Sequence, residues 1–347
     1  MKKIFYILFT ASLLAVGCTK EIPVSRNHNL DAEVLDIESK MEMTTLYCNL
    51  NGTTTVDLQQ LSEYLTAKSA DVAMFVAPTV VGETNFNEWL AAYATEHGYN
   101  TLNANNDDGR LVMAALINAD LTFEKYTIVQ ASSLNNAVLH FKSNDIHFVV
   151  TELLPARNAI PADWQDQVAQ MTTDKKSSPL VYDPDNHELR KAELVYLINQ
   201  TIDNKAHMRD ANWMWAINMN AESYLDIVKY EREFLRADCY DDVTEEFLTT
   251  VTKYFSVSEL VDQNDPYFAL SKLLISSNMI DCNAVHHSLY TPSSVSVEEG
   301  EEGSRQNFLY ATDVCWNMFR TFDFDTEVAA QLGVLHYPII VSLKKEE

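Results

Sequence analysis

The chain is short of glycine and of basic residues. Its 347 residues include only 8 glycines, none of them between Gly109 and Gly300, where average usage would give about three times as many overall. Neither G-x-G-x-x-G nor G-x-x-x-x-G-K-[ST] occurs, so glycine-rich phosphate-binding loops are excluded. The 25 Lys and Arg against 50 Asp and Glu leave a net charge of −25, and this charge disfavours nucleic acid as a partner because it repels phosphate.

Long hydrophobic runs are also scarce, and the main one lies at the N-terminus. Lys2 and Lys3 precede a short apolar segment, residues 4–16, which ends in Ala15-Val16-Gly17-Cys18. This pattern resembles the signal peptide and lipobox of bacterial lipoproteins. The resemblance implies cleavage before Cys18, lipidation of Cys18 and attachment to the cell envelope, at the outer membrane or cell surface. The alternative is an ordinary secretory signal with an incidental cysteine.

Three segments follow from this interpretation. Residues 1–17 are the signal peptide, residues 18–40 are the lipidated cysteine and a polar linker, and residues 41–347 form the folded domain. The cysteines of this domain match no metal-binding spacing, and their disulfide state stays open; they are Cys48, Cys239, Cys282 and Cys315. Because a core of this size does not require disulfides, Cys48 is expected to be a buried free thiol.

Hydrophobic periodicity indicates an α/β chain with many antiparallel strands. The predicted strands are residues 44–50, 71–77, 110–117, 126–131, 136–142, 146–151, 212–218, 286–290, 306–312 and 337–343. The predicted helices are residues 56–67, 87–97 and 188–202, with residues 241–280 mostly helical. This order favours two packed sheets with helices outside them.

Six segments carry a resemblance to a known superfamily. They are TLYCNLNG, SADVAMFVAP, IHFVVTELLP, NWMWAINMNAES, RQNFLYAT and LGVLHYPIIVSL. In order and spacing they resemble the conserved strands of the endonuclease/exonuclease/phosphatase superfamily, the deoxyribonuclease-like metal hydrolases. The resemblance implies a four-layer α/β/β/α sandwich with a catalytic site at one end of the paired sheets. Members of that superfamily cleave phosphoesters, usually with Mg²⁺ held by acidic side chains.

At the positions that the family uses for catalysis, this chain carries few acids. The resemblance aligns the metal-binding glutamate with Ala77, and three aspartates with Asn218, Asn307 and Leu335. It aligns the mid-chain histidine with Glu152, and a conserved glycine with Ile217. The residues that keep the family pattern are Asn49, Thr151, Asn220, Arg305 and His336, with Arg190 at the start of the family's arginine-led helix.

These replacements predict a non-catalytic protein, because Mg²⁺ requires carboxylate ligands that alanine, leucine and asparagine cannot supply. The expected function is binding, without a metal or other cofactor, at the former active site. The expected binding residues are Asn49, Thr151, Asn218, Asn220, Arg305, Asn307 and His336. The expected ligand is a small molecule, a glycan or an envelope protein, and a subunit of an envelope complex is a further class.

The alternative is a divergent Mg²⁺-dependent phosphodiesterase or phosphatase with a remodelled site. Its catalytic residues would be His336, Glu152 and Asn220, with Glu152 and His336 facing each other across the site. Against this stands a structural role, in which Glu152 pairs with Arg305 or Arg190.

Aromatic and histidine side chains add three expectations. Trp213 and Trp215 alternate on one strand and are predicted to be core residues. Tyr47 and Trp164 are predicted near the rim or a loop, where they could contact a ligand. The pair His286-His287 is expected at a strand edge and not at a metal site.

Overall fold

The computed structural model describes residues 41–51, 56–78, 86–106, 109–128, 137–154, 187–221, 223–230, 266–295 and 303–344. The predicted lipidation site Cys18 and the loop residue Trp164 lie outside these ranges. All described residues belong to one compact unit, Glu38–Glu347. Among them, no helix combines the length and the apolar character needed to cross a membrane.

Short apolar stretches form the strands of two sheets. The strands are β1 (Met41–Asn49), β2 (Val72–Val76), β3 (Tyr99–Asn105), β4 (Leu111–Asn118), β5 (Phe123–Tyr126), β6 (Leu139–Ser143), β7 (Ile146–Glu152), β8 (Asn212–Asn218), β9 (Met279–Asp281), β10 (Asn307–Thr312), β11 (Phe319–Phe324) and β12 (Ile339–Lys344). The first sheet has the order β11-β12-β1-β2-β4-β3, and the second has the order β5-β6-β7-β8-β10-β9. Each sheet has one central parallel pair, β1 with β2 and β7 with β8, and its other pairs are antiparallel.

Helices flank both sheets. They are α1 (Leu58–Lys68), α2 (Phe86–His97), α3 (His187–Gln200), α4 (Tyr224–Val228), α5 (Pro266–Ser276), α6 (Cys282–His286), α7 (Asp313–Trp316) and α8 (Val328–Leu332), with a short 3₁₀ helix at Ala206–Asp210. Local signals set some of their ends. At α1, for example, the Asp57 side chain accepts hydrogen bonds from the backbone N–H groups of Gln59 and Gln60, as an N-cap residue does.

Three hydrophobic clusters form the core. One lies between the sheets and includes Met74 of the first sheet and Phe148 of the second. A second packs the first sheet against α1, α2 and α8, and a third packs the second sheet against α3 and α5. This arrangement is the four-layer α/β/β/α sandwich predicted from the sequence. Trp213 and Trp215 are fully buried in the third cluster, as predicted.

Two tight backbone features shape connections of the second sheet. Asn144 and Asp145 both have positive φ, 49° and 60°, which suits the two-residue turn that joins β6 to β7. At Gly303, a Cβ atom would lie 1.8 Å from the backbone oxygen of Ser294. Only glycine lets these two segments run so close together, and the contact fixes the approach to β10.

Several predicted elements need correction. Residues 286–290 do not form a strand: His286 ends α6, and His287 follows it in an extended conformation. The strand predicted at 126–131 overlaps β5 only at Tyr126, where β5 ends; residues 127 and 128 are not in a strand, and residues 129–131 lie outside the described ranges. Within residues 241–280, the described part contains α5 and the start of β9. The prediction missed β3 and β11.

Candidate functional site

Three neighbouring strands of the second sheet end in a row of polar side chains. Glu152 and Asn218 are register partners at the ends of parallel β7 and β8, and Asn307 opposes Asn218 at the start of antiparallel β10. Residues two positions away, such as Val150, lie in the core between the sheets. Because side chains alternate along a strand, all three polar groups face the first sheet.

The first sheet completes the row from the opposite side. Asn49 is the last residue of β1, and its Nδ2 donates a hydrogen bond to Oδ1 of Asn307 at 3.3 Å. Asn49, Asn218 and Asn307 are each only 1–2% exposed. These three amides therefore form a buried floor that joins the ends of the two sheets.

Two similar turns follow the strand ends. In Asn49-Leu50-Asn51, the Asn51 backbone N–H donates to Asn49 Oδ1 at 3.0 Å. In Asn218-Met219-Asn220, the Asn220 N–H donates to Asn218 Oδ1 at 3.1 Å, and Asn220 has a positive φ of 49°. Asparagine favours such turns because its side chain mimics a backbone acceptor and tolerates the left-handed region.

The amides of both turns hold one carboxylate. Asn51 Nδ2 donates to both oxygens of Glu152, at 2.7 and 2.8 Å. Asn218 Nδ2 donates to Glu152 Oε1 at 2.8 Å, and Asn220 Nδ2 donates to the backbone oxygen of Leu153 at 2.7 Å. We call this group the strand-end cluster; its members are Asn49, Asn51, Glu152, Asn218, Asn220 and Asn307.

Burial and hydrogen bonding act in opposite directions on Glu152. Its side chain is half-buried, and burial raises the pKa of Glu152, while the hydrogen bonds from the cluster amides and the charge of Arg110 lower it. The cluster therefore contains one acid, in a site that disfavours its charge and supplies several donors to it.

Asn51 is a site residue that the sequence analysis did not select. It lies just beyond the end of β1, outside the predicted strand pattern. A signal was nevertheless present, because Asn49-x-Asn51 repeats the spacing of Asn218-x-Asn220 after another apolar strand.

The two arginines predicted near the site are both directed elsewhere. Arg190, buried on α3, donates from Nη2 to the backbone oxygens of Met219 and Asn220, at 2.7 and 3.2 Å. Arg190 therefore stabilises the backbone of the Asn218-Met219-Asn220 turn from the side of α3.

Arg305 is fully buried and pairs with Asp226 at 2.8 Å and Asp281 at 2.5 Å. We call these three residues the ion triad. The expectations that Arg305 binds ligand or pairs with Glu152 are therefore wrong, because both of its carboxylate partners are acids of the core.

Two further predicted binding residues lie apart from the cluster. Thr151 is buried, and by alternation along β7 it faces the helices and not the cluster. Tyr47 is not at a rim, since it is 1% exposed and packs between the sheets. Its Oη has no hydrogen-bond partner among the described residues.

The backbone beside His336 is connected to the cluster through Ser293. His336 forms an isolated backbone bridge with Ser294, and the next residue, Tyr337, donates its N–H to Ser293 O at 3.0 Å. The Oγ of Ser293 in turn accepts from the Asn307 N–H at 3.1 Å. No hydrogen bond between His336 and Glu152 occurs in the described part of the chain.

Burial also sets the charge of His336. Its Nδ1 is buried without a partner within the described ranges, and burial lowers the pKa of His336 to about 4. The imidazole is therefore neutral at pH 7.

Comparison with solved structures identifies the architecture. An AP endonuclease from Archaeoglobus fulgidus matches with a TM-score of 0.56 at 10% identity, over 87% of this chain and 99% of the other. The 3′ phosphatase NExo from Neisseria, solved with a product DNA hairpin, matches with a TM-score of 0.54 at 11% identity, over 87% of this chain and 100% of the other. No protein-family model and no curated protein matches the sequence.

The chain has the deoxyribonuclease I-like fold. This likeness covers nearly the whole domain and confirms the fold that the six sequence segments predicted. At identities of 10–11%, it shows the fold alone.

Within the deoxyribonuclease I-like fold, apolar residues stand at three positions that the resemblance aligns with two catalytic acids, Ala77 and Leu335, and with a glycine beside a third, Ile217. Ala77 packs against the helices of the first sheet, and Ile217 packs against those of the second. Leu335 is 44% exposed. Leu335 therefore cannot orient the imidazole of His336 as a carboxylate would.

The donor set of the strand-end cluster does not fit Mg²⁺. Glu152 is its one carboxylate, and both of its oxygens already accept hydrogen bonds from Asn51. The Oδ1 atoms of Asn49, Asn218 and Asn307 accept hydrogen bonds inside the protein. Nowhere in the described ranges do three or more His, Cys, Asp or Glu side chains gather in a way that could hold a metal ion.

Proposed function

We propose that this chain is a non-hydrolytic protein with a deoxyribonuclease I-like fold that binds a ligand at the strand-end cluster. One observation carries the proposal: asparagine amides surround the one carboxylate of the cluster, and the Oδ1 atoms of Asn49, Asn218 and Asn307 accept hydrogen bonds within the protein. Phosphoester hydrolysis with Mg²⁺ needs several hard anionic oxygens directed at one ion. An amide supplies a neutral oxygen at best, and here three of these oxygens are already used.

Catalysis also requires a general base whose orientation is set by a hydrogen-bond partner. His336 is neutral at pH 7, as a base must be, yet the preceding residue is Leu335 and its Nδ1 has no partner among the described residues. An unoriented imidazole contributes little, because loss of one member of a catalytic unit removes most of its effect.

The envelope location is a separate part of the proposal. The lipobox-like sequence at Ala15–Cys18 supports a lipid on Cys18, with the linker up to residue 40 separating the domain from the membrane. The protein would then present its binding site at the cell envelope.

Hydrolysis and metal binding are tested on the purified chain. We expect no turnover of bis-p-nitrophenyl phosphate, p-nitrophenyl phosphate or abasic-site DNA with Mg²⁺ or Mn²⁺, and no saturable Mg²⁺ heat by calorimetry. The AP endonuclease from Archaeoglobus fulgidus serves as the positive control. Metal-dependent turnover that disappears in Glu152→Gln would overturn the proposal and support the remodelled hydrolase instead.

The anchor is tested by detergent partitioning and mass spectrometry of the N-terminal peptide. We expect the wild-type chain in the detergent phase with a lipidated Cys18, and Cys18→Ala as an unprocessed precursor. Thr19→Ser is the matched control and should behave as wild type. A mature chain that lacks lipid would refute the anchor without affecting the binding proposal.

A further inference from the structure

Asn51 is the only asparagine of the chain that a glycine follows. An asparagine side chain can react with the backbone nitrogen of the next residue. The bond between that nitrogen and Cγ forms, the Cγ–Nδ2 bond breaks, and Nδ2 leaves as ammonia with the proton of the attacking amide. Water then opens the cyclic imide to aspartate or isoaspartate. Glycine favours this reaction because it has no Cβ atom to hinder the attack.

The fold holds the amide of Asn51 on a charged acceptor. Its Nδ2 donates to both oxygens of Glu152, at 2.7 and 2.8 Å, and Nδ2 is the atom that departs in the reaction. Rotation of the side chain or release of ammonia must first break these bonds, and hydrogen bonds to a carboxylate are among the strong ones. Glu152 should therefore slow the reaction in the folded chain.

The second turn of the strand-end cluster provides an internal comparison. Asn220 follows Asn218 at the same spacing as Asn51 follows Asn49, and the two turns have the same backbone hydrogen bond. Alanine, not glycine, follows Asn220, and its Nδ2 donates to the neutral backbone oxygen of Leu153 at 2.7 Å. Because alanine has a Cβ atom, Asn220 should react more slowly than Asn51.

Conversion of Asn51 to an acid would reverse its effect on Glu152. A carboxylate oxygen would take the place of Nδ2, which lies 2.7 and 2.8 Å from the two Glu152 oxygens. Two carboxylates this close cannot both stay charged and instead share a proton. Arg110 favours the charge of Glu152, but it is exposed and screened by solvent; Tyr47 is influenced by that charge and is itself neutral.

We propose that Asn51-Gly52 is a deamidation site protected by Glu152, and that deamidation turns the single carboxylate of the strand-end cluster into a repelling pair. The product replaces a hydrogen-bonded contact between the ends of β1 and β7 with a repulsion. The reaction needs water alone. It is independent of a ligand and of the lipid anchor, so its failure would leave the proposed function untouched.

Incubation of the full chain at pH 8, followed by mass spectrometry of its peptides, tests the site. We expect the amide-to-acid mass increase at Asn51 well before Asn220, with isoaspartate among the products because the imide can open at either carbonyl. Gly52→Ala should slow the conversion several-fold. No conversion at Asn51 over several weeks, conversion at Asn220 that is equally fast, or an unchanged rate in Gly52→Ala would overturn the proposal.

Two substitutions test the protection by Glu152. Glu152→Ala removes both acceptors of the Asn51 amide and should speed its conversion about tenfold or more, the usual effect of losing a hydrogen bond to a charged group. Glu124→Ala, at an exposed acid on β5, is the matched control and should leave the rate unchanged. Asn118, which alanine also follows, reports general unfolding. An unchanged rate at Asn51 in Glu152→Ala, or equal acceleration at Asn118, would refute the protection.

The variant Asn51→Asp reproduces the product and tests the repulsion. Sharing a proton raises the pKa of the pair above that of the unfolded acids, so the folded state binds more protons and gains stability as the pH falls. In urea denaturation, the loss of stability relative to wild type should be larger at pH 7.5 than at pH 5. Asn51→Ala removes the same hydrogen bonds without a second acid, so its loss should depend less on pH. Equal pH dependence in the two variants would overturn the repelling pair.

Discussion

Two polar regions adjoin the start of strand β10, and they stabilise buried charge in different ways. In the ion triad, Arg305, Asp226 and Asp281 are all 0–2% exposed and satisfy one another directly. In the strand-end cluster, the charge of Glu152 is held by neutral amides and the side chain stays partly exposed.

The difference separates a structural group from a binding group. Fully buried charges must be paired, because an isolated charge in the core is strongly unfavourable. A lone carboxylate can persist only where it keeps some contact with solvent and accepts strong hydrogen bonds. The triad is therefore closed to solvent, while Asn51, Glu152 and Asn220 of the cluster stay partly exposed.

The largest expected effect comes from breaking the triad. Arg305→Met leaves Asp226 and Asp281 buried without their cation and should lower the free energy of unfolding by about 3–5 kcal/mol. Urea denaturation followed by circular dichroism measures the change. Arg305→Lys, which keeps the charge but loses the forked geometry, should lose less.

The matched control is an exposed arginine with a similar ion pair. Arg209 bonds to Asp203 at 2.6 Å, but its side chain is 55% exposed. Arg209→Met should have a much smaller effect, because solvent screens the pair. Equal losses of stability in Arg305→Met and Arg209→Met would show that burial does not make the ion triad more important than an exposed ion pair.

A buried pair without charge offers a second comparison. His140 and His147, on β6 and β7, lie 3.2 Å apart between ring nitrogens, and they are 5% and 7% exposed. Burial lowers the pKa of His140 to about 3, and the neighbouring His147 acts in the same direction. Burial lowers the pKa of His147 to about 4; Lys142 acts in the same direction, while the charges of Glu124 and Asp145 oppose it.

The direction of the pH effect follows from these shifts. Folding lowers both pKa values below their ordinary value of 6.5, so the fold favours the neutral rings. Their contribution to stability is complete above pH 6.5 and is lost as the pH falls towards 4 and then 3. For His140 this amounts to at most about 2 kcal/mol between pH 6.5 and 5.

Denaturation at pH 7.5 and pH 5 tests this effect. His140→Gln should lose less stability on acidification than the wild-type chain, because the unfolded state no longer takes up that proton. His97→Gln, at an exposed position on α2, is the control and should keep the wild-type loss. Equal losses in His140→Gln and wild type would show that this pair does not sense pH.

The sequence was informative about the fold where strands are apolar throughout. β2 reads Val-Ala-Met-Phe-Val and is fully buried, and β8 has the predicted bounds. By contrast, β3 reads Tyr-Asn-Thr-Leu-Asn-Ala-Asn and has one buried residue. Its place at the edge of a sheet requires little hydrophobicity, so its pattern resembles a loop. The apolar run at His286 was misread, because runs this short do not distinguish strand from helix.

For the site, the sequence identified polar residues at strand ends but not their directions. Asn49, Glu152, Asn218, Asn220 and Asn307 meet as expected, since alternation and register place them together. The ion pairs of Arg305 could not be predicted, because Asp226 and Asp281 are distant from it in sequence. No local pattern identifies them as its partners. Tyr47 was misplaced because an aromatic residue near a strand end can face either the rim or the core.

The smallest expected effect on stability comes from Glu152→Gln. Because burial raises the pKa of Glu152, removing its charge relieves an unfavourable interaction, while one amide oxygen can still accept from Asn51 or Asn218. These contributions nearly cancel, and the free energy of unfolding should change by less than about 1 kcal/mol. Urea denaturation at pH 7.5, beside Arg305→Met, gives the measurement. A loss as large as that of the triad variant would mean that Glu152 is a structural residue. A lower ligand affinity of Glu152→Gln would then no longer show that Glu152 contacts the ligand.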